Sequence, residues 1–268
     1  MTTNYQPVLA QIVIYPIKSL DGKVVDRSQI STGGALSFDR RWAIVDADGK
    51  IVNAKRTAKI QQIRSQFDFV ASADRLLVSL ATTDHPNFQI FCLITELAKI
   101  AIWLSKFLGF PVSLIENNIV GFPDDLAAYG PTIISTATLL AICEWFPDLD
   151  LAEVRRRFRT NLELSDVPAF WEDRLFGSPG EVVDFHLGKV QFQGINPCQR
   201  CIVPTRDSRT GNVTAKFQQI FTQRRQQTVT AGINPSRFNH FYRLAVNTRI
   251  SSGEANKALN IGDLIYFY

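Results

Sequence analysis

Two cysteines three positions apart, Cys198 and Cys201, stand in the stretch NPCQRCIVPTRDSRTG (196–211), with Arg200 between them and Arg206 after them. A thioredoxin-type dithiol needs its first thiol at a helix N-terminus after a strand. Here Cys201 leads into Ile-Val-Pro-Thr, a β-like run stopped by Pro204. A structural zinc site needs four ligands, and Cys92, Cys143, His85, His186 and His240 show no paired spacing to complete one. A structural disulfide is disfavoured in a reducing compartment. Packing cysteines, a reactive thiolate and a metal-binding thiolate all stay open. Arg200 and Arg206 favour the last two, because nearby cations lower a thiol pKa and a thiolate is a soft metal ligand. TRDSRTG reads as a polar turn, so the cysteines are expected to end a strand at the rim of a β domain, where ligands approach.

The elements that position them belong to a chain of 268 residues, 46% hydrophobic and 20% charged, an ordinary globular composition able to build a packed core. The net charge of +4 favours an anionic ligand without requiring nucleic acid. Four cysteines are no disulfide framework. MTTNYQPVLA has neither a secretory h-region nor an Arg-rich presequence, so a cytoplasmic location is expected. The most apolar segment, 91–110, carries Glu96, Lys99 and Lys106, which opposes a membrane span.

The first ninety residues read mainly as strands. VLAQIVIYPI (8–17) is one; RRWAIVDADGKIVNAK (40–55) is two around an Asp-Gly turn; SQFDFVAS, RLLVSLAT and NFQIFCL add three more. Leu97, Ile100, Ala101, Leu104 and Leu108 then follow helical spacing, with Gly109 as the left-handed stop. PVSLIEN (111–117) is a strand, and the Gly- and Pro-marked NNIVGFPDDLAAYGP leads into a second half. There Ser135 caps one helix, and Asp150 with Glu153 starts LAEVRRRF. FRTNLEL (158–164), EVVDFHLGKVQFQG (181–194), FYRLAVNT (241–248) and DLIYFY (263–268) read as strands. The expected fold class is mostly β (α+β), with a boundary near 118.

In this order and over this length, YPIKSLDG (15–22), FDRRWAIVDADGK (38–50), FRTNLEL, WED (171–173), NPCQRCIVPTRDSRTG and IGDLIYF (261–267) resemble the MOSC family. The likeness is to members with an N-terminal MOSC β-barrel domain, such as the mitochondrial amidoxime-reducing component. The resemblance implies an N-terminal β-barrel-like domain over 1–117, with its connecting helix, and a MOSC β-barrel domain with a few helices over 118–268. It implies the molybdenum cofactor (Mo-molybdopterin), with Cys201 as the metal ligand and catalytic residue. Lys18, Ser19, Arg40, Ser135, Thr138, Arg159, Asn161 and Gln199 match positions that contact the cofactor. Their types suit its phosphate and pterin: cations, amides and hydroxyls at a helix start. Three have another reading: a solvated Lys18, a helix-capping Ser135, and Arg41 serving in place of Arg40 by a one-residue slip. Arg159 and Asn161 are expected to alternate on one face of an extended segment. The chain departs from the pattern at Gln199, where close relatives have Ser, at Phe241 beside Tyr242, and at Leu175, which puts substrate range in question.

Glu172 and Asp173 read as acids solvating a loop or tuning the site, and Arg155-Arg156-Arg157 as a charged helix face or a dock for an acidic electron-transfer protein. The resemblance implies a reductase of N-hydroxylated compounds such as amidoximes and hydroxylamino bases. Electrons are expected from a separate partner protein, a ferredoxin, flavin reductase or cytochrome b5-like donor, since the sequence holds no further cysteine cluster. Two other readings are a cofactor carrier or chaperone without turnover, and a thiol redox protein using Cys198 and Cys201 as a pair.

Overall fold

A computed structural model describes residues 5–69, 76–229 and 233–267; the ends of three predicted strands, at 70–72, 75 and 268, lie outside them. The first unit of structure is built on β4 (Trp42–Asp46), paired antiparallel with β8 (Val112–Glu116), and on a meander of β5 (Ile63–Phe69), β6 (Leu76–Thr82) and β7 (Gln89–Cys92). Helix α1 (Leu97–Leu108) lays Ile100, Leu104 and Leu108 on this core and ends at Gly109 with φ 90°, a left-handed stop that a Cβ would strain. Fully buried Ile17, Ile44, Ile60, Val78 and Leu80 fill the space between. Each such side chain contributes about 1.5–3 kcal/mol by leaving water.

The second and larger unit is an eight-stranded sheet. Its order is β15 (Ile265–Tyr266), β11 (Val183–Leu187), β12 (Val190–Gln199), β13 (Arg243–Arg249), β9 (Ile133–Ser135), β10 (Leu162–Ser165), β1 (Val8–Ile14) and β2 (Lys23–Val25). All its pairings are antiparallel except β9 with β10. β3 (Arg27–Gln29) pairs with β14 (Ala258–Asn260). Strands β1, β2 and β3 therefore join the strands of the second half, which a cut at 118 separates from them, while Ile17 and Leu20 between β1 and β2 pack in the first unit.

The class is mostly β with four α-helices among the described residues. The expected barrels are not closed. The large sheet does curl until the Val8–Leu264 bridge and backbone bonds of Leu9 with Asp263 and Gly262 join β1 to the segment before β15, but among the described residues no ladder completes the circuit. Three local expectations also change. The run after Cys201, expected to be β-like, turns into a short 3-10 helix at Val203–Thr205. After the Asp46–Gly49 turn the chain makes one bridge, Ile51 to Val45, rather than a second strand. FRTNLEL is extended only from Leu162, because Arg159 ends a helix.

That helix, α3 (Leu151–Phe158), packs with α2 (Thr136–Trp145) and α4 (Phe217–Gln226) outside the sheet. Asp150 caps α3 by accepting from the Glu153 amide, and Ser135 caps α2 through the Thr138 amide. α4 is absent from the sequence reading, although Phe217, Phe221 and Arg225 recur every four residues and are all buried. No helix among the described residues is long and apolar enough to cross a membrane.

Candidate functional site

A cleft of about 1150 Å³ is lined by both cysteines, by the Lys18 turn, by the end of α3 and by residues 123–130. Backbone pairing fixes its floor. The Lys18 amide donates to the Trp42 carbonyl at 2.8 Å, and the Arg40 amide to the Tyr15 carbonyl at 2.8 Å. The Tyr15 amide donates to Asp39 Oδ1 at 2.8 Å. Gly121, with φ 66°, then crosses so near that a Cβ would come within 2.6 Å of the Asp39 carbonyl oxygen. Only glycine lets the 121–130 loop lie on this turn.

Ser19, Arg40 and Arg159 hold left-handed backbone, with φ of 74°, 49° and 52°. Each costs about 1 kcal/mol for a residue with a Cβ, and a group of them on one cleft is the pattern expected of a binding site. Arg40 is turned inward, bonded to Asp39 and donating from Nη1 to Asn161 Oδ1 at 3.3 Å. Arg41 points away, donating to Glu116 at 2.6 Å, so the one-residue slip does not occur. Asn161 donates from Nδ2 to the Val13 carbonyl at 3.0 Å and accepts from the Thr132 amide at 3.2 Å. The Ser19 hydroxyl accepts from the Ala54 amide at 3.3 Å.

Arg159 is different. Its guanidinium stacks 4.2 Å from the centre of the Tyr15 ring, yet makes no hydrogen bond or ion pair with any described residue. Burial lowers its pKa from the usual guanidinium value, with Tyr15 opposing. The Tyr15 phenol is in turn pushed by burial up to about 12. A half-buried cation without an anion is a site short of its counter-charge.

Cys198 and Cys201 are free and half-buried, and both line the cleft where β12 ends, as does Gln199. The flanking arginines do not donate to either sulfur. Arg200 spends its guanidinium on the Leu244 carbonyl at 2.7 Å and the Phe158 carbonyl at 3.0 Å, and Arg206 on Ala54 at 2.7 Å. Among the described residues no three His, Cys, Asp or Glu side chains gather as metal ligands, so a metal here would need ligands from a cofactor. Two soft thiols, several cations and amides, and a large cleft suit a phosphate-bearing group that brings its own soft donors.

Lys18, Ser19, Arg40, Arg159, Asn161, Gln199 and Cys201 thus share one cleft. Ser135 and Thr138 do not line it. Both are fully buried, and their hydroxyls lie 2.8 Å apart. Thr138 donates to Glu172 at 3.0 Å and accepts from the Phe170 amide at 2.6 Å, so these groups serve the interior. The WED acids are not loop solvators either, being 1% and 2% exposed, and Asp173 pairs with Arg225 at 2.5 Å. The arginine run is not a free face: Arg155 is held by Glu163, and Arg156 and Arg157 by Glu153. Sequence reasoning passed over Tyr15, Asp39, Asp124 and Asp125, whose roles come from residues distant in the chain. Only Asp124-Asp125, a charged pair in a Gly- and Pro-marked loop, carried a visible signal.

Residues 6–111 match the MOSC N-terminal beta barrel domain, and residues 133–256 match the MOSC domain. The chain is 25% identical over 230 residues to the molybdenum cofactor sulfurase of Drosophila grimshawi, covering 77% of this chain and 29% of that protein. For the Danio rerio protein of that name the figures are 24% over 267 residues, 84% and 31%. For that of Oryza sativa subsp. japonica they are 30% over 125 residues, 40% and 15%. The chain spans about a third or less of the curated relatives it matches.

Proposed function

We propose a function from the premise that this chain belongs to the MOSC family, with an N-terminal MOSC domain followed by a MOSC domain. It is a molybdenum-cofactor-dependent reductase of N-hydroxylated compounds, supplied with electrons by a separate protein. The observation that carries the reading is that one cleft holds both a free thiol, Cys201, and the guanidinium of Arg159, which pairs with no carboxylate among the described residues.

Cys201, as thiolate, would ligate the metal. Lys18, Arg40 and Arg159 would hold the anionic end of the cofactor, with charge-assisted hydrogen bonds stronger than neutral ones. Ser19, Asn161 and Gln199 would meet its polar edges. When bound, the cofactor supplies the two-electron redox chemistry, while the chain supplies binding and orientation. The left-handed backbone at Arg40 and Arg159 keeps their side chains aimed at the ligand before it arrives, which lowers the ordering cost of binding.

A second reading is a carrier that holds the cofactor without turnover, favoured by the likeness to proteins named molybdenum cofactor sulfurase over a third or less of their length. Molybdenum and pterin content of the unchanged protein, Cys198→Ala and Cys201→Ala tests both, together with reduction of an N-hydroxylated compound by an artificial donor. About one molybdenum per chain, lost only in Cys201→Ala, with turnover, supports the reductase. Molybdenum without turnover of any such compound leaves the carrier. No molybdenum or pterin, from a host that makes the cofactor, sinks both and returns the thiol pair.

A further inference from the structure

Five carboxylates line the cleft: Asp21, Asp39, Asp124, Asp125 and Glu181. Three are neutralised. Asp21 pairs with Arg64 at 3.6 Å, Asp39 with Arg40, and Asp124 with Lys18 at 2.9 Å and Lys55 at 3.5 Å. Asp125 and Glu181 have no cation within ion-pair distance among the described residues. Glu181 is exposed and accepts from the Ser178 amide at 2.9 Å, closing its own turn.

Asp125 is built in. Its Oδ1 accepts from the Ala127 amide at 2.9 Å, and its Oδ2 accepts from the side-chain amides of Asn247 at 3.2 Å and Asn196 at 3.5 Å. Asn247 is 6% exposed and also donates to Asn196 at 2.9 Å, so the three side chains brace one another across β12 and β13. Asn196 lies two residues before Cys198 and five before Cys201, so at most about 17 Å of extended chain separates it from the candidate metal ligand. The cations at this end, Arg237 and Arg243, are occupied by the carbonyls of Ser178, Ile195 and Pro197 and by Asn239.

The cleft is therefore divided by charge. Beside the Lys18–Asp124 and Arg40–Asp39 pairs Arg159 has no ion pair among the described residues, while Asp125 offers a carboxylate held in place by amides that cannot neutralise it. A fixed carboxylate recognises a planar group with two N–H donors, as in an amidinium or guanidinium, by paired charge-assisted bonds. We infer that Asp125 is a specificity-determining residue that receives a cationic or N–H-donating head group of this kind, positioned by Asn196 and Asn247. That the head group belongs to the substrate rests on the reductase reading; its binding does not.

Benzamidine is the probe, titrated calorimetrically into the full chain, so the result does not depend on turnover. Saturable binding is expected to weaken about tenfold in Asp125→Asn and in Asp125→Ser. Both variants keep an oxygen for the Ala127 amide, and two of them guard against one local refolding. Glu181→Gln is expected to bind as the unchanged protein does. The inference is overturned if both Asp125 variants bind benzamidine as tightly as the parent, if Glu181→Gln alone loses it, or if the parent shows no saturable binding. Failure of the reductase reading shows separately, as absence of turnover with these isotherms intact.

Discussion

The Lys18 ammonium lies 2.9 Å from the Asp124 carboxylate and 2.8 Å from the Phe122 carbonyl, so a buried cation of the YPIKS turn is already answered by a loop more than a hundred residues away. Burial works against ionisation of Asp124, yet Lys18, Arg40 and Lys55 hold its carboxyl well below the usual carboxylate range. Burial also lowers Lys18 from the usual ammonium value, with Asp124 opposing. Asp124 thus stands where an anion would otherwise stand. Asp124→Asn is expected to bind inorganic phosphate about 2- to 5-fold more tightly, the worth of a partly exposed ion pair, and Lys18→Ala more weakly. Calorimetric titration decides; weaker binding in Asp124→Asn would mean the carboxylate arranges the site and does not compete for it.

Arg159 presents the opposite case, a cation with a ring beneath it and no ion pair among the described residues. Its left-handed backbone suits glycine, so Arg159→Gly loses the stacking but gains relief of about 1 kcal/mol. The melting temperature is expected to stay within about 3 °C of the parent, while phosphate binding falls about tenfold. A large drop in melting temperature with unchanged phosphate binding would make Arg159 a structural residue.

The sequence made local features legible and distant ones not. Gly109 after a helical apolar period, Ser135 before α2 and the Asp150 cap are decided within a turn of helix and stand as read, while Glu153 does not complete a box because its carboxylate is taken by Arg156, Arg157 and Ser208. Arg159 was misplaced because left-handed helix ends favour glycine, so an arginine there reads as extended chain. The charges of Asp173, Arg155 and Arg157 looked solvated because their partners, Arg225, Glu163 and Glu153, are set by tertiary packing or helical spacing. The three-residue strands β3 and β14 carry too short a pattern to see, and their pairing joins the two ends of the chain.

Asp173 meets Arg225 in the interior, both 2% exposed or less, and Arg225 lies between the rings of Phe170 and Phe238 at 4.6 and 4.8 Å. Removing one partner strands the other charge away from water. Asp173→Asn is expected to cost about 3–5 kcal/mol in urea unfolding. Lys50→Ala, on the exposed pair with Asp48, should cost under about 1 kcal/mol. Equal effects would show that burial does not set the value of these pairs.

Glu172 lies beside that pair with one oxygen accepting from Thr138 at 3.0 Å and the other without a hydrogen-bond partner among the described residues. Burial, with the neighbouring Asp173 charge, pushes its carboxyl up to about 7. The folded chain therefore binds this proton more tightly than the unfolded chain. The stability it gives is fully present below the ordinary glutamate pKa and is lost as pH rises through about 7. The shift corresponds to on the order of 3 kcal/mol at most. Glu172→Gln keeps the shape and removes the titration. It should match the parent at about pH 4, where both side chains are neutral, and exceed it by up to about 3 kcal/mol at about pH 9. Urea unfolding at both pH values isolates this group and its coupling to Asp173, because the other titrations are common to the two proteins. If Glu172→Gln is the less stable at high pH, the carboxylate must have an ionised role that its unpartnered oxygen does not reveal.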